Sequence, residues 1–484
     1  MDYALPDHIR GQERICGRCN GLAAFSTTKP GQILGDQIVK NTLAAILALS
    51  ALSLGSTQAE AQDDPAVEPN DLDTVSIKSP TGDTLSLQQK STQTEALKIT
   101  DGIFQATGFG NSFLVVTDEG NVIIDTSLPQ NAAGHKKLLD AVSDKVPEYI
   151  IATHGHGDHV GGIPLWRGKD TNVIAQQNSV EFLHYQTRLS GFFALRNSAQ
   201  FGLDIARPDA GTAHPGNYDA DIPATILFDD KYEFRLGGLT FVVASGPAET
   251  LDALTVWIPE KKAVFVGDLI YESFPNIYTL RGTKPRWALD YVQSIDDVLA
   301  LDAEILIPSH GDAIKGADAV RAALTKYRDA ILYVHDATVA GMNDGKDVFS
   351  LMEEIKLPAE LALPEQYGTV KWTVRGIYDG YAGWFDGNPS SILSIKPNAS
   401  NITLVKMAGG PDAVVAQAEM LFGKGEDLSA LSLAESVLSV KPDHKPAWAV
   451  RLKILQKLHK NSANYNEAGW LGYGIRQSRK ALEK

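Results

Sequence analysis

Cysteine is nearly absent from this chain of 484 residues, whose two copies, Cys16 and Cys19, both stand close to its first residue. A C-x-x-C pair is typical of half a zinc site or of a redox motif, but we interpret this one as part of a leader with no role in the mature protein. Long apolar runs are also absent. None reaches the roughly 20 residues that cross a bilayer, which excludes a polytopic membrane protein.

Positive charge is scarce as well, since 44 Lys and Arg face 59 Asp and Glu and the formal net charge is −15. Such a chain repels phosphate backbones, and the sequence has no local basic patch, so we expect no nucleic-acid partner. A pocket for an anion must therefore supply its own positive charge, from metal ions or arginine. The remaining composition, with 44% hydrophobic and 21% charged residues, is that of a globular protein.

The first 61 residues have the pattern of a leader. Lys40 precedes an apolar run from Thr42 to Leu54, and the small-residue site Ala59-Glu60-Ala61 follows. A basic start, a short apolar core and an A-x-A site are typical of a secretory signal peptide. Because residues 1–38 precede this pattern, we hypothesise that translation starts at Val39. Cleavage after Ala61 would place the mature protein in the periplasm or outside the cell.

The rest of the chain divides into three parts by its pattern. Residues 62–95 are polar and rich in Asp, Ser, Thr and Gln, and we interpret them as an N-terminal arm. Residues 96–335 alternate short apolar runs with helical periodicity, which indicates layered sheets covered by helices. Residues 336–484 show helical periodicity throughout, and from about residue 411 they resemble one tetratricopeptide-like helical hairpin.

Three local predictions follow from the α/β part. Ser112–Thr117 and Val122–Asp125 are apolar runs separated by four turn-forming residues, which predicts a hairpin. Ser179–Ser198 has helical spacing and many aromatic residues. Residues 202–224 carry Pro, Gly, Asp and Asn and are predicted to form a loop.

Chemistry is concentrated in the run T-H-G-H-G-D-H-V-G-G at residues 153–162, which holds three of the eleven histidines. Imidazole and carboxylate are ligands that zinc prefers. His154 and His156 are two residues apart at the end of a predicted strand, so their side chains point to the same side. Asp158 and His159 lie on the turn beyond and can face a second ion. The alternative interpretation is a glycine-rich loop with exposed histidines.

This H-x-H-x-D-H run resembles the metallo-β-lactamase superfamily, whose metal sites use further ligands downstream. His310 stands after an apolar run and is similar to the late histidine of that superfamily. Asp268, in the run V-F-V-G-D, is similar to the carboxylate that bridges its two metals. Glu249 stands where most members have a histidine.

Two further segments are similar to the class III alkylsulfatases within this superfamily. Those enzymes have a glutamate at the position of Glu249 and a segment like N-I-Y-T-L-R-G, which occupies residues 276–282 here. The run Y-D-G-Y-A-G-W-F-D-G-N-P at residues 378–389 resembles their dimerisation domain. One departure is that the bridging carboxylate is Asp268, where the alkylsulfatases have glutamate.

The resemblance implies a metallo-β-lactamase αββα sandwich followed by an all-α dimerisation domain, in a homodimer. It also implies a binuclear zinc centre, with Asp158 and Asp268 as catalytic residues. One zinc would be held by His154, His156 and Glu249, the other by Asp158, His159 and His310, and Asp268 would bridge them or bind the second.

The activity implied is hydrolysis of an alkyl sulfate ester to an alcohol and sulfate by a metal-activated water. Arg281 presents a fork of donors that fits a tetrahedral oxyanion, and Asn276 and Thr279 add neutral donors. The alternative roles are a salt bridge for Arg281 and turn capping for the other two.

Three alternative functions stay open at this point. The first is a lactonase, esterase, β-lactamase or phosphodiesterase activity on the same metals. The second is an iron-based centre that handles oxygen, because carboxylate-rich ligand sets also accept iron. The third is a non-catalytic helical scaffold with a degenerate metal site.

The leader pattern yields the first testable prediction. Expression with export should give a mature protein whose first residue is Gln62, because the signal peptidase cuts after the A-x-A site. Sequencing the amino terminus of the exported protein measures this directly. A mature end upstream of residue 40 would contradict both the leader and the start at Val39.

Overall fold

The computed structural model describes residues 93–202, 223–393, 396 and 398–484. The predicted leader and nearly all of the predicted arm lie outside the described residues, and so does most of the loop predicted over residues 202–224. Two sheets form the middle of the described α/β part. The first has seven strands in sequence order: β1 (Leu97–Thr100), β2 (Ile103–Ala106), β3 (Ser112–Val116), β4 (Asn121–Thr126), β5 (Pro147–Ile151), β6 (Asn172–Gln176) and β7 (Ile226–Phe228).

The second sheet has six strands in the order β13-β12-β11-β10-β9-β8. Their bounds are β8 (Lys231–Leu236), β9 (Leu239–Ser245), β10 (Leu254–Ile258), β11 (Ala263–Gly267), β12 (Ile305–Pro308) and β13 (Ile314–Lys315). The predicted hairpin is confirmed, since β3 and β4 pair antiparallel. Strands β4 to β7 run parallel, and so do β11 and β12. Their carboxyl ends are where ligands bind in open α/β sheets.

The main core lies between the two sheets. Alternation along β4 explains its faces, because Val122 and Ile124 point into this core while Ile123 packs on the outer helices. The rings of Phe113 and Phe265 meet across the sheets edge to face, with centroids 5.3 Å apart. Helices cover both outer faces, so the layers are helix, sheet, sheet, helix, as predicted for an αββα sandwich.

Fifteen α-helices lie in the described residues. Their bounds are α1 (Pro129–Asp140), α2 (Gly157–Val160), α3 (Ile163–Trp166), α4 (Ser179–Arg188), α5 (Ser190–Phe201), α6 (Ala288–Leu299), α7 (Ala317–Asn343), α8 (Val348–Glu354), α9 (Val370–Ala382), α10 (Pro389–Ile392), α11 (Asn401–Met407), α12 (Pro411–Gly423), α13 (Asp427–Val440), α14 (Lys445–Asn461) and α15 (Tyr465–Glu483). None of them combines the length and apolar character needed to cross a membrane.

The helical structure predicted over Ser179–Ser198 is confirmed, although a break at Leu189 divides it into α4 and α5. Leu189 leaves the helical region, with φ −105° and ψ 18°, and its amide turns back to the carbonyls of Tyr185 and Thr187. Ser190 and Gly191 follow at once, and both are weak helix formers.

A second apolar core covers the outer face of the second sheet and continues into the helical part. Helix α7 supplies Val320, Leu324 and Val334 to it, and α8 and α9 pack on the same core. The domain boundary predicted at residue 335 falls inside α7. Further along the chain, α12 and α13 form the helical hairpin predicted from about residue 411, and with α11 and α14 they enclose a separate small core.

Candidate metal centre

Six of the seven predicted metal ligands come together at the carboxyl ends of the strands. His154 to His159 follow β5, Asp268 follows β11 and His310 follows β12. The turn after β11 requires Gly267, which has φ +54° and whose Cβ position is only 2.9 Å from the Thr153 side chain. A larger residue there would push the histidine loop away from Asp268.

The six side chains form two groups, one of His154, His156 and Asp268 and one of Asp158, His159 and His310. In the second group, Asp158 Oδ2 lies 3.4 Å from His159 Nε2 and 3.3 Å from His310 Nε2. Asp268 lies between the groups. Its Oδ1 is 3.4 Å from both His159 Nε2 and His310 Nε2, and its Oδ2 is 3.6 Å from His154 Nε2.

These distances fit a metal ion. Ligands roughly 2.0–2.2 Å from a tetrahedral ion lie roughly 3.3–3.6 Å from one another, which is the spacing in the second group. His159 Nε2 and Asp268 Oδ1 are also buried without a hydrogen-bond partner among the described residues. Because such buried polar atoms are costly to leave unpaired, the space between Asp268 and the second group suits a cation.

The electrostatics agree with the geometry. Burial alone lowers the pKa of a histidine, but the Asp268 and Asp158 carboxylates outweigh it at His310 and raise that pKa to about 10. At His154 burial dominates and lowers the pKa to about 4, which leaves the neutral imidazole that metals bind. Near His310, the carboxylates of Asp268 and Asp158 therefore favour a positive charge, and a bound metal ion would supply that charge.

Asp125 holds this arrangement from behind. It is fully buried at the end of β4. Its Oδ1 accepts the Thr153 amide at 2.8 Å, and its Oδ2 accepts the Thr153 hydroxyl at 2.8 Å, His159 Nδ1 at 2.7 Å and the Ser309 hydroxyl at 2.6 Å. Because Nδ1 of His159 carries the proton, Nε2 presents its lone pair to the metal groups.

Glu249, the seventh predicted ligand, is in neither group. Its Oε2 forms an ion pair with Arg286 Nη1 at 2.8 Å, and its Oε1 accepts a hydrogen bond of 2.6 Å from the Tyr271 hydroxyl. All three side chains are buried. Neither Arg286 nor Tyr271 belongs to a motif in the sequence, so the pairing was not predictable.

The three predicted substrate-binding residues occupy different surroundings. Arg281 Nη2 donates to His156 Nε2 at 2.9 Å, so its guanidinium lies at the metal groups. Asn276 is buried, and neither atom of its side-chain amide has a partner among the described residues. The Thr279 hydroxyl accepts a hydrogen bond of 3.3 Å from Gln200 on α5.

Tyr367 is a site residue that sequence reasoning missed. Its ring lies 6.0 Å, centroid to centroid, from that of Tyr271, the tyrosine whose hydroxyl donates to Glu249. Burial, followed by the charge of Glu249, raises its pKa, so the phenol is neutral and able to donate. It stands between α8 and α9, far along the chain from the histidine run, and no local pattern marks it.

Two family models match the chain. The metallo-beta-lactamase superfamily matches residues 106–310, and alkyl sulfatase dimerisation matches residues 349–480. A linear primary-alkylsulfatase of Pseudomonas sp. (strain ATCC 19151) is 31% identical over 381 residues, which cover 74% of this chain and 72% of that protein. The alkyl/aryl-sulfatase BDS1 of Saccharomyces cerevisiae is 27% identical over 390 residues, and the match covers 60% of its length.

Solved structures show the same fold. The stereoselective inverting sec-alkylsulfatase Pisa1 from Pseudomonas sp. aligns with a TM-score of 0.70 at 22% identity, over 80% of this chain and 65% of that one. The present chain thus spans slightly less than two thirds of the Pisa1 chain. Together with the Pseudomonas relative and the two matched models, the metal groups lead to one conclusion: the chain belongs to the metallo-β-lactamase superfamily and, within it, to the alkylsulfatases that carry this dimerisation domain.

Proposed function

We propose that this protein hydrolyses alkyl sulfate esters to an alcohol and sulfate at a centre of two zinc ions. The observation that carries the proposal is the contact between Arg281 and His156, which puts an anion-binding guanidinium against metal-binding side chains. A monoanionic ester needs both the guanidinium and the metal ions, because their positive charge must offset the repulsion from the negatively charged chain. The relatives named as alkylsulfatases support the same substrate class.

The two groups of side chains would hold the ions. His154, His156 and Asp268 would bind one, Asp158, His159 and His310 the other, with Asp268 shared between them. Glu249 stays a proposed ligand of the first ion, because each carboxylate oxygen has a second lone pair beyond the one that Arg286 or Tyr271 uses. Bound zinc would supply hydroxide at neutral pH by lowering the pKa of its water toward about 7.

The chain's own donors would hold the sulfate. Nε and Nη2 of Arg286 and the Asn276 amide are buried without partners among the described residues. An unmet buried donor costs about 1–3 kcal/mol, so an anion that accepts these hydrogen bonds offsets that cost. Arg281 and the neutral Tyr367 phenol add two further donors. Thr279 would help to position the backbone beside Arg281 and would not bind sulfate directly, since its hydroxyl already accepts a hydrogen bond from Gln200.

An apolar surface beside these donors suits the alkyl chain. Leu189, Phe192 and Leu195 are each at least 40% exposed, around the start of α5. The Phe192 ring lies against Gly282, next to Arg281. We propose that alkyl groups rest on these three side chains while the sulfate meets Arg281.

The second prediction tests the activity itself. The purified mature protein with added zinc should release sulfate from primary or secondary alkyl sulfates, and a chelator should abolish the release until zinc is restored. Sulfate release is measured across chain lengths, with a lactone, a β-lactam and a phosphodiester in parallel. If no alkyl sulfate releases sulfate while another ester is hydrolysed, the proposed substrate class is wrong. The fold and the proposed metal ligands would still stand.

The third prediction concerns Arg281. Arg281→Met should raise KM for the alkyl sulfate and the inhibition constant of inorganic sulfate by roughly 10- to 150-fold, because hydrogen bonds to charged groups contribute about 1.5–3 kcal/mol. Zinc content should not change. Arg321→Met is the matched control, since that arginine is exposed and pairs with Asp302. Unchanged sulfate inhibition in Arg281→Met would remove Arg281 from the substrate site.

We propose further that the protein is a homodimer that uses the exposed apolar side chains from the end of α9 to the end of α11. Trp384 is 80% exposed, Leu393 72% and Met407 78%, and all three lie within the residues that match the dimerisation model. Surfaces of this kind mark protein interfaces. We also propose that the protein is exported, on the strength of the leader pattern alone.

The fourth prediction follows from this surface. Light scattering at micromolar concentration should give a dimer mass, and Trp384→Ser should shift the equilibrium toward the monomer by removing apolar area from the interface. Leu97→Ser, at an exposed position on β1, is the control. A monomer mass for the unaltered protein would contradict the dimer.

A further inference from the structure

We propose that the start of the terminal helix, residues 464–470, positions both walls of the substrate pocket. This segment belongs to the matched dimerisation region, yet its contacts lead to the Arg281 loop, residues 279–282, on one side and to Tyr367 on the other. The inference rests on the proposed function for the meaning of the pocket.

The first contact runs through Arg196 on α5. Its Nε donates to the Arg281 carbonyl at 2.6 Å, and its Nη2 donates to the Leu280 carbonyl. The guanidinium lies 5.2 Å from the centroid of the Phe192 ring and 5.0 Å from that of Trp470. Trp470 on α15 therefore helps to position the Arg196 guanidinium, which in turn binds the backbone at Arg281.

A second contact reinforces the same path. Gly469 packs so closely on α5 that a Cβ there would lie 1.8 Å from the Gln200 carbonyl oxygen. Gln200 stands one turn after Arg196 on α5 and donates to the Thr279 hydroxyl at 3.3 Å. Two side chains of α5, Arg196 and Gln200, thus bind residues 279–281, and α5 itself packs closely on α15.

The other wall is held directly. Asn464 Nδ2 donates to the Glu365 carbonyl at 2.8 Å and to the Tyr367 carbonyl at 3.1 Å, and Asn466 Nδ2 donates to the same Tyr367 carbonyl at 3.0 Å. The Tyr465 amide donates to the Gln366 carbonyl at 2.8 Å. Three successive residues therefore fix the backbone of the segment that presents the Tyr367 phenol.

The two paths can be separated by mutation. Trp470→Leu removes a contact on the path to the Arg281 loop and should loosen only that loop, and Asn466→Ala removes a contact to Tyr367 and should loosen only the Tyr367 segment. Trp470→Phe keeps an aromatic face for Arg196. Gln477→Leu is the control, because Gln477 is exposed on the same helix. Hydrogen–deuterium exchange of peptides covering 279–282 and 365–368 is the readout that does not depend on any substrate.

The fifth prediction is that Trp470→Leu speeds exchange in 279–282 by roughly five- to tenfold, from the loss of a partly buried cation–π contact, and leaves 365–368 unchanged. Asn466→Ala should do the reverse. For whichever ester the protein hydrolyses, Trp470→Leu should raise KM by a similar factor with little change in kcat, zinc content or dimer mass. Trp470→Phe should restore KM, and adding Trp470→Leu to Arg196→Met should cause little further loss.

Three results would overturn the inference. One is that Trp470→Leu speeds exchange equally in 279–282 and 365–368, or that it loses zinc and dimer mass together with activity. Either outcome would show that Trp470 has a general structural role. Another is unchanged exchange in 279–282 in Trp470→Leu. The last is full additivity of Arg196→Met and Trp470→Leu. Failure of the unaltered protein to release sulfate would overturn only the proposed function, because the exchange experiment would still decide the inference.

Discussion

The geometry of the metal centre depends on one buried carboxylate. Asp125 lies near the end of β4 in the first sheet and accepts hydrogen bonds from Thr153 and His159 beyond β5 and from Ser309 beyond β12 of the second sheet. A buried carboxylate is tolerated only when such donors surround it, so the two sheets and the histidine loop must meet at this point. The same bonds set which nitrogen His159 presents to a metal, and thus join the packing of the sandwich to the chemistry at its edge.

Much of this was readable from the sequence because the information is local. The run at 153–162 predicts metal ligands through residue type and spacing, and the turn between β3 and β4 predicts a hairpin through its composition. Asp268 and His310 were placed by resemblance, and the structure brings both to the histidines. The pairing of Glu249 with Arg286 was not readable, because it depends on a contact between side chains in separate loops. Tyr367 was missed for the same reason, and the break at Leu189 because Ser190 and Gly191 weaken a helical pattern without ending it.

The distribution of charge explains how an acidic protein can receive an anion. The net charge of −15 belongs to the whole surface, while the pocket itself contains two buried guanidinium groups, Arg281 and Arg286. Among the residues that the structure describes, only Arg286 of the two has a carboxylate partner, Glu249. In a region that water does not screen, the second arginine acts on a bound anion far more strongly than an exposed arginine could.

Helix α7 has a consequence for how such a protein can be assembled over evolutionary time. It runs unbroken from Ala317 to Asn343, across the gap between the residues that match the two family models, and its apolar face belongs to one core on both sides of that gap. Exchange of either half by recombination would cut a helix and divide a core. An exchange that keeps both halves folded must therefore carry α7 and its whole core together, and the two halves meet at a continuous helix instead of a flexible joint.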